Sequence, residues 1–157
     1  MNLNELEDKI KQTLVQHVRF TKVKPNAITP TKGTEGAACF DLAATETVIV
    51  PAGCSKVVGT GIAVALPLNT VLKVYSRSGL GFKYNVRLSN GTGIIDSDYR
   101  GEIKLSMFND SDDPYSITEG DRIAQCMVLP VLPINWIEED SLDDTQRGAG
   151  GMGSTGA

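Results

Sequence analysis

Apolar residues recur at helical spacing in one stretch of the chain, near its start. Leu3, Leu6, Ile10 and Leu14 fall on one face with charges between them, which predicts an amphipathic helix over residues 3–16. Asn4 with Glu7 three positions later has the spacing of a capping box. From Val18 onward the pattern changes to short runs rich in apolar and β-branched residues, at 18–23, 47–50, 56–58, 62–66, 71–75, 101–108, 123–131 and 135–137. Turn formers separate them, among them Pro51-Ala52-Gly53, Pro67-Leu68-Asn69 and residues 109–114. Alternation is strict over residues 102–107 and places Ile103, Leu105 and Met107 on one buried face. Many short strands with little helix predict an all-β fold, whether sandwich, jelly roll or barrel. No internal repeat stands out, and the acidic run 138–144 joins the body to a glycine-rich end.

Composition narrows the picture. At 157 residues the chain has the size of one domain, with enough length for a real core. Its 16 glycines and 7 prolines agree with many turns. A net charge of −4 argues against nucleic acid or an acidic membrane surface as the main partner. A polyanionic small molecule needs only a few focused arginines. No apolar run is long enough to span a bilayer, and the opening MNLNELEDKIKQ is too charged for a signal peptide. Cys39, Cys54 and Cys126 form no C-x-x-C pair, and their odd number fits reduced packing thiols and a cytoplasmic location. His17 is the only histidine, so histidine triads and His-rich metal sites are excluded. An enzyme built on this chain would use a carboxylate as its base.

Five polar segments interrupt the β pattern. AACFDLAA (37–44) sets Asp41 among small and apolar neighbours. SRSGL (76–80) offers a cation, a hydroxyl and free backbone N–H groups at a turn. GTGIIDSDYRGEI (91–103) presents Asp96, Asp98, Tyr99 and Arg100 between two strands, and EGDRIAQ (119–125) carries Arg122 and Gln125. The last segment, RGAGGMGSTGA (147–157), is too glycine-rich to pack, yet its guanidinium, hydroxyls and N–H groups suit phosphate oxygens. Each segment alone also reads as a plain turn, loop or linker.

Together, in this order, the five segments resemble the motifs of the trimeric dUTPase family, from about residue 18 to residue 156. That resemblance implies a distorted jelly-roll β-barrel with an extra helix at its N-terminus. It also implies hydrolysis of dUTP to dUMP and pyrophosphate, with Mg2+ on the triphosphate, in a homotrimer with shared active sites. The implied divisions are a helical extension over 1–17, a β domain over 18–137, an acidic linker over 138–146, and a flexible tail over 147–157 that closes over the site.

The family's roles carry over by position. Asp96 matches the catalytic carboxylate that activates the attacking water. Tyr99 matches the ring that lies under the deoxyribose and excludes a 2′-hydroxyl. Asn90 with the backbone of Gly93, Ile94 and Ile95 matches the hairpin that reads uracil, and Lys104 falls at a substrate-contacting position. Arg77, Ser78 and Gly79 match the grip on the α- and β-phosphates, and Gln125 the amide beside the phosphates and the water. Asp41 matches an acid that orders the phosphate region and reaches the metal's water shell; no direct protein ligand to the metal is implied. Arg122 reads as a structural ion-pair partner. In the tail, Arg147, Gly153, Ser154 and Thr155 match groups folding over the β- and γ-phosphates.

Two departures stand out. Met152 occupies the position where the family usually carries a phenylalanine that stacks on uracil, so aromatic stacking of about 1 kcal/mol is lost. The N-terminal helix is an addition to the family core, and its apolar stripe calls for a partner surface, on its own subunit, a neighbour or another protein. Two other readings compete: a dUTPase-like nucleotide-binding or regulatory protein, and a dCTP deaminase of the same fold.

Overall fold

The structure is a computed structural model that describes residues 2, 5 and 17–151. Short strands dominate it. They are β1 (Arg19–Lys22), β2 (Phe40–Ala43), β3 (Val48–Val50), β4 (Ser55–Gly59), β5 (Ile62–Ala65) and β6 (Thr70–Tyr75). A short helix, α1 (Ser78–Tyr84), precedes β7 (Val86–Leu88), β8 (Thr92–Ile95), β9 (Lys104–Asn109), β10 (Tyr115–Ile117) and β11 (Arg122–Pro130).

Every recorded pairing is antiparallel. The largest sheet has the order β2-β11-β6-β8, and a second runs β4-β9-β7, with two-stranded pairs β1-β5 and β3-β10 completing the set. Neighbours in space are therefore rarely neighbours in sequence, which is how residues from distant segments come to share one surface.

The core follows from strand alternation. On β9, Leu105, Met107 and Asn109 are buried while Lys104 stays exposed, as the period of two requires. They pack with Leu42, Val50, Val58, Val74, Leu88, Ile117 and Ile123. Asn109 is a fully buried polar residue and is fully engaged. Its Nδ2 donates to the carbonyls of Val50 (3.0 Å) and Asp113 (2.8 Å), and its Oδ1 accepts from Ser111. Those bonds pin the 109–114 turn to the body.

Seven of the eight strand runs read from the sequence coincide with β1, β3, β4, β5, β6, β9 and β11. The run at 135–137 does not: the structure carries no strand there, and residues 131–149 are all exposed. Leu132, Ile134, Trp136 and Ile137 are each at least 70% exposed, so this apolar arm finds no covering surface among the described residues. β2, β7, β8, β10 and α1 were not read from the pattern.

Apart from Glu5, the helix expected over 3–16 lies outside the described residues, as do Asn4 and Glu7. Asn2 and Glu5, which are described, form the reciprocal bonds of a capping box. The Asn2 N–H donates to Glu5 Oε2 (2.9 Å) and the Glu5 N–H to Asn2 Oδ1 (2.8 Å).

Candidate active site

The β11 register brings three of the polar segments together. Gln125 lies opposite Asp41 on β2 and opposite Tyr75 on β6, so SRSGL begins beside both. Asp41 is the hub of the cluster. Its Oδ1 meets Arg77 Nε at 3.0 Å and its Oδ2 meets Arg122 Nη1 at 3.0 Å. Arg77 Nη1 also donates to the Arg122 carbonyl (2.7 Å), and Gln125 Nε2 donates to the Ser76 carbonyl (3.0 Å). Two guanidiniums against one carboxylate leave the group with a charge of +1, held at a surface and open to an anion. Arg122 is thus an ion-pair partner, of Asp41.

α1 starts next to this cluster. The Leu80 and Gly81 N–H groups both donate to the Arg77 carbonyl, while those of Ser78 and Gly79 have no acceptor among the described residues, as expected in a first helical turn. Asn85 ends the helix in the left-handed region at φ 54°, with its N–H on Gly81.

A second feature lies on the far side of β6. Tyr75 pairs with Gln125 on one side and with Thr92 of β8 on the other. Between β8 and β9 is a cavity of about 180 Å³ lined by Asn90, Gly93, Ile94, Ile95, Lys104 and Ser106, among others. That is below the 300–1,000 Å³ of drug-sized pockets, large enough for a single heterocycle and not for a whole nucleotide. Gly91 sits in the turn at φ 69°, a conformation that favours glycine. The Leu88 N–H donates to Ser76 Oγ (2.9 Å), tying this turn to the phosphate-type cluster. The sequence resemblance implies a hairpin here, but β7 pairs with β9 and β8 with β6, so the turn passes from one sheet to another.

Asp96 and Tyr99 stand at the other end of β8. Ile95 pairs with Leu72 and Thr92 with Tyr75, three steps apart, or about 10 Å at the rise of a strand. Asp96 continues beyond the first pair and Arg77 beyond the second, so one chain holds them at opposite ends of the ladder. The Asp96 carboxylate is exposed and makes no hydrogen bond or ion pair among the described residues. The Tyr99 N–H donates to the Asp96 carbonyl (3.2 Å), closing a turn, and Arg100 Nη1 donates to the carbonyls of Ser97 and Tyr99 (2.8 and 2.9 Å). The Tyr99 hydroxyl donates to the Glu102 carbonyl at 3.1 Å.

Arg147 lies away from both clusters in a local turn, its Nε donating to the Gly150 carbonyl (2.8 Å). Met152, Gly153, Ser154 and Thr155 lie outside the described residues. Two participants went unassigned in the sequence. Ser76 accepts from both sides of β6 yet sits inside the quoted SRSGL, so adjacency to Arg77 was its only signal. Glu102 accepts from the Gly61 N–H (2.9 Å) and pairs with Lys24 (3.5 Å), a link that no local pattern shows.

Other chemistry is weak. Among the described residues, no three His, Cys, Asp or Glu side chains gather as metal ligands. Burial, and after it the nearby Cys39 and Asp41, pushes the Cys126 thiol up to about 12, so it stays protonated and is no nucleophile. A larger cavity of about 380 Å³, lined by Val18, Phe20, Phe40, Val64 and Val128 among others, has no charged residue in its wall. No helix among the described residues is long and apolar enough to cross a membrane.

Comparison with known proteins shows the family and the fold. The dUTPase family model matches residues 25–156. The deoxyuridine 5′-triphosphate nucleotidohydrolase of Nautilia profundicola is 42% identical over 139 residues, covering 88% of this chain and 98% of that protein. The protein of the same name from Wolinella succinogenes is 44% identical over 139 residues, covering 88% and 93%. Among solved structures, the Staphylococcus bacteriophage 80alpha dUTPase with dUPNHPP superposes with a TM-score of 0.84 at 24% identity, covering 91% of this chain and 100% of that one. A mutant dUTPase of S. aureus phage phi11, whose structure details the coordination of a structural Mg(II) ion, gives 0.76 at 22% identity, covering 82% and 99%. The β fold is accordingly of the jelly-roll type seen in dUTPases, and the chain belongs to the dUTPase family.

Proposed function

We propose that this protein hydrolyses dUTP to dUMP and pyrophosphate, with water attacking the α-phosphorus. One observation carries the reading. A cationic cluster (Arg77, Arg122, Asp41) and a heterocycle-sized cavity (Asn90, Gly93–Ile95, Lys104) flank the same strand, β6, and Ser76 bonds to both sides. A triphosphate needs the first and a base the second.

The chemistry follows from the donors available. Arg77 and the N–H groups of Ser78 and Gly79 neutralise charge that builds on phosphate oxygens as the bond to the leaving pyrophosphate breaks. Gln125 is held by Ser76 and orients the attacking water. Asp96, whose carboxylate makes no hydrogen bond or ion pair among the described residues, takes the water's proton. Main-chain groups around Gly93–Ile95 have fixed donor and acceptor roles, so cytosine's reversed edge is rejected. Tyr99 closes the space where a ribose 2′-hydroxyl would go.

Mg2+ on the triphosphate would supply further charge neutralisation. The residues present fit a metal carried by substrate: Asp41 is already neutralised by two guanidiniums and is left to order the metal's water shell.

Asp96 and Arg77 stand at opposite ends of the β6–β8 ladder, which supports active sites completed by a neighbouring subunit, as in a homotrimer. The arm bearing Leu132, Ile134, Trp136 and Ile137 and the uncharged 380 Å³ cavity beside β1 support the same assembly. The tail, with Arg147, Met152, Gly153, Ser154 and Thr155, then folds over the β- and γ-phosphates and the base, excluding water. Free Cys39, Cys54 and Cys126 suit a cytoplasmic setting.

Pyrophosphate release measured with dUTP, dCTP, dTTP and UTP tests the reading. Turnover confined to dUTP is expected. Ammonia and dUTP from dCTP would instead identify a deaminase, and nucleotide binding without turnover would identify a sensor.

A further inference from the structure

We propose that Gly101 is a positioning residue for Tyr99 and, through it, sets the discrimination between deoxyribose and ribose. This rests on the reading of Tyr99 as the wall against the 2′-hydroxyl. The backbone at Gly101 does not need a glycine, because its φ lies outside the left-handed region. The space above it does. A Cβ placed on Gly101 would lie 2.5 Å from Tyr99 Cζ and 3.0 Å from Cε2, and would also strike the Tyr99 hydroxyl. Those three atoms are the nearest it would meet, so the missing side chain is the floor on which the ring lies.

The rest of the ring's setting is equally fixed. The hydroxyl donates to the Glu102 carbonyl at 3.1 Å. Glu102 is itself tied down, its carboxylate accepting from the Gly61 N–H at 2.9 Å and pairing with Lys24 at 3.5 Å. Its side chain is only 13% exposed. The platform under the hydroxyl is therefore anchored to the turn between β4 and β5. Tyr99 as a whole is 44% exposed, so its side chain has room to move.

A methyl group at residue 101 therefore displaces the one neighbour that can move cheaply. Tyr99 swings off its floor, its hydroxyl leaves Glu102, and the wall against the 2′ position opens. The backbone is unstrained, so the fold persists.

Gly101→Ala, made in the full chain, tests this. The expected result is a fall of about tenfold or more in the ratio of kcat/KM for dUTP over UTP, carried mainly by KM, with the melting temperature close to wild type. In a Tyr99→Ala background the same change should leave the ratio where Tyr99→Ala puts it, because no ring remains to displace. Tyr99→Phe keeps the ring on its floor and should retain more discrimination than Gly101→Ala. An unchanged or raised ratio in Gly101→Ala, or an additive effect in the double variant, overturns the proposal.

Tyrosine-labelled NMR supplies a readout independent of turnover. Cross-peaks between the Tyr99 ring and the Gly101 α-protons are expected in the wild type, and their absence overturns the placement. A wild type that hydrolyses no dUTP while showing those cross-peaks would sink the functional reading and the proposed role in sugar selection, leaving the ring's placement standing.

Discussion

Asp41→Asn keeps the side chain's shape and one acceptor but removes the charge that two guanidiniums share. The two pairs should not lose equally. Arg77 and Asp41 side chains are 26% and 16% exposed and meet at 3.0 Å, which puts their contact among charge-assisted hydrogen bonds of about 1.5–3 kcal/mol. Arg122 meets the same carboxylate at 3.0 Å but is 57% exposed, so solvent screening leaves it in the range of about 0–1 kcal/mol typical of surface pairs. Double-mutant cycles with Arg77→Ala and Arg122→Ala, read by urea denaturation at one fixed protein concentration, measure both couplings. The Asp41–Arg77 coupling should exceed the Asp41–Arg122 coupling by about 1 kcal/mol or more. Steady-state kinetics should show the same ranking. Loss of about 1.4 kcal/mol in Arg77's placement lowers kcat/KM about tenfold. Equal couplings, or a larger one to Arg122, would refute the assignment of Arg77 as the braced, substrate-facing arginine.

Asp96→Asn should lower dUTP hydrolysis by about 10²–10⁴ while nucleotide affinity persists; turnover near wild type would remove Asp96 from the mechanism. Deleting residues 147–157 should preserve the melting temperature but strongly lower kcat/KM for dUTP, with dUMP affinity nearly unchanged. Met152→Phe should tighten dUTP by up to roughly tenfold through restored stacking, and full activity in the truncated protein would show the tail to be a bystander. Thiol titration at pH 8 should find the exposed Cys54 reactive and Cys126 inert, because burial holds Cys126 protonated up to about 12 and reactivity appears only as pH approaches that value or the fold opens. Rapid labelling of Cys126 in the native protein would contradict its placement in the core.

The long alternating run was legible because its period was uninterrupted: Ile103, Leu105 and Met107 are each buried. β7 and β10 are three residues each and, unlike the all-apolar β3, each has a polar residue at its centre (Arg87, Ser116), and β8 begins Thr-Gly, which reads as a turn. α1 was hidden by Gly79 and Gly81, poor helix formers. Its hold comes from burial of Leu80 and the left-handed cap at Asn85, both tertiary features. Residues 135–137 read as a strand because Trp136 and Ile137 are apolar, yet a strand needs a partner and the described residues offer none. In the candidate site, Asp41 and Arg122 are 81 residues apart, and only the β2–β11 register brings them within 3.0 Å. The resemblance located the segments. Register alone showed that Asp96 and Arg77 do not meet within one chain.

The central claim, attack by a water at the α-phosphorus of dUTP, is tested most directly by hydrolysis in oxygen-18-enriched water with mass analysis of both products. The label should appear in the phosphate of dUMP and be absent from pyrophosphate. Label in the pyrophosphate would mean attack at the β-phosphorus, and intact dUTP would mean no hydrolysis at all. Either result contradicts the account.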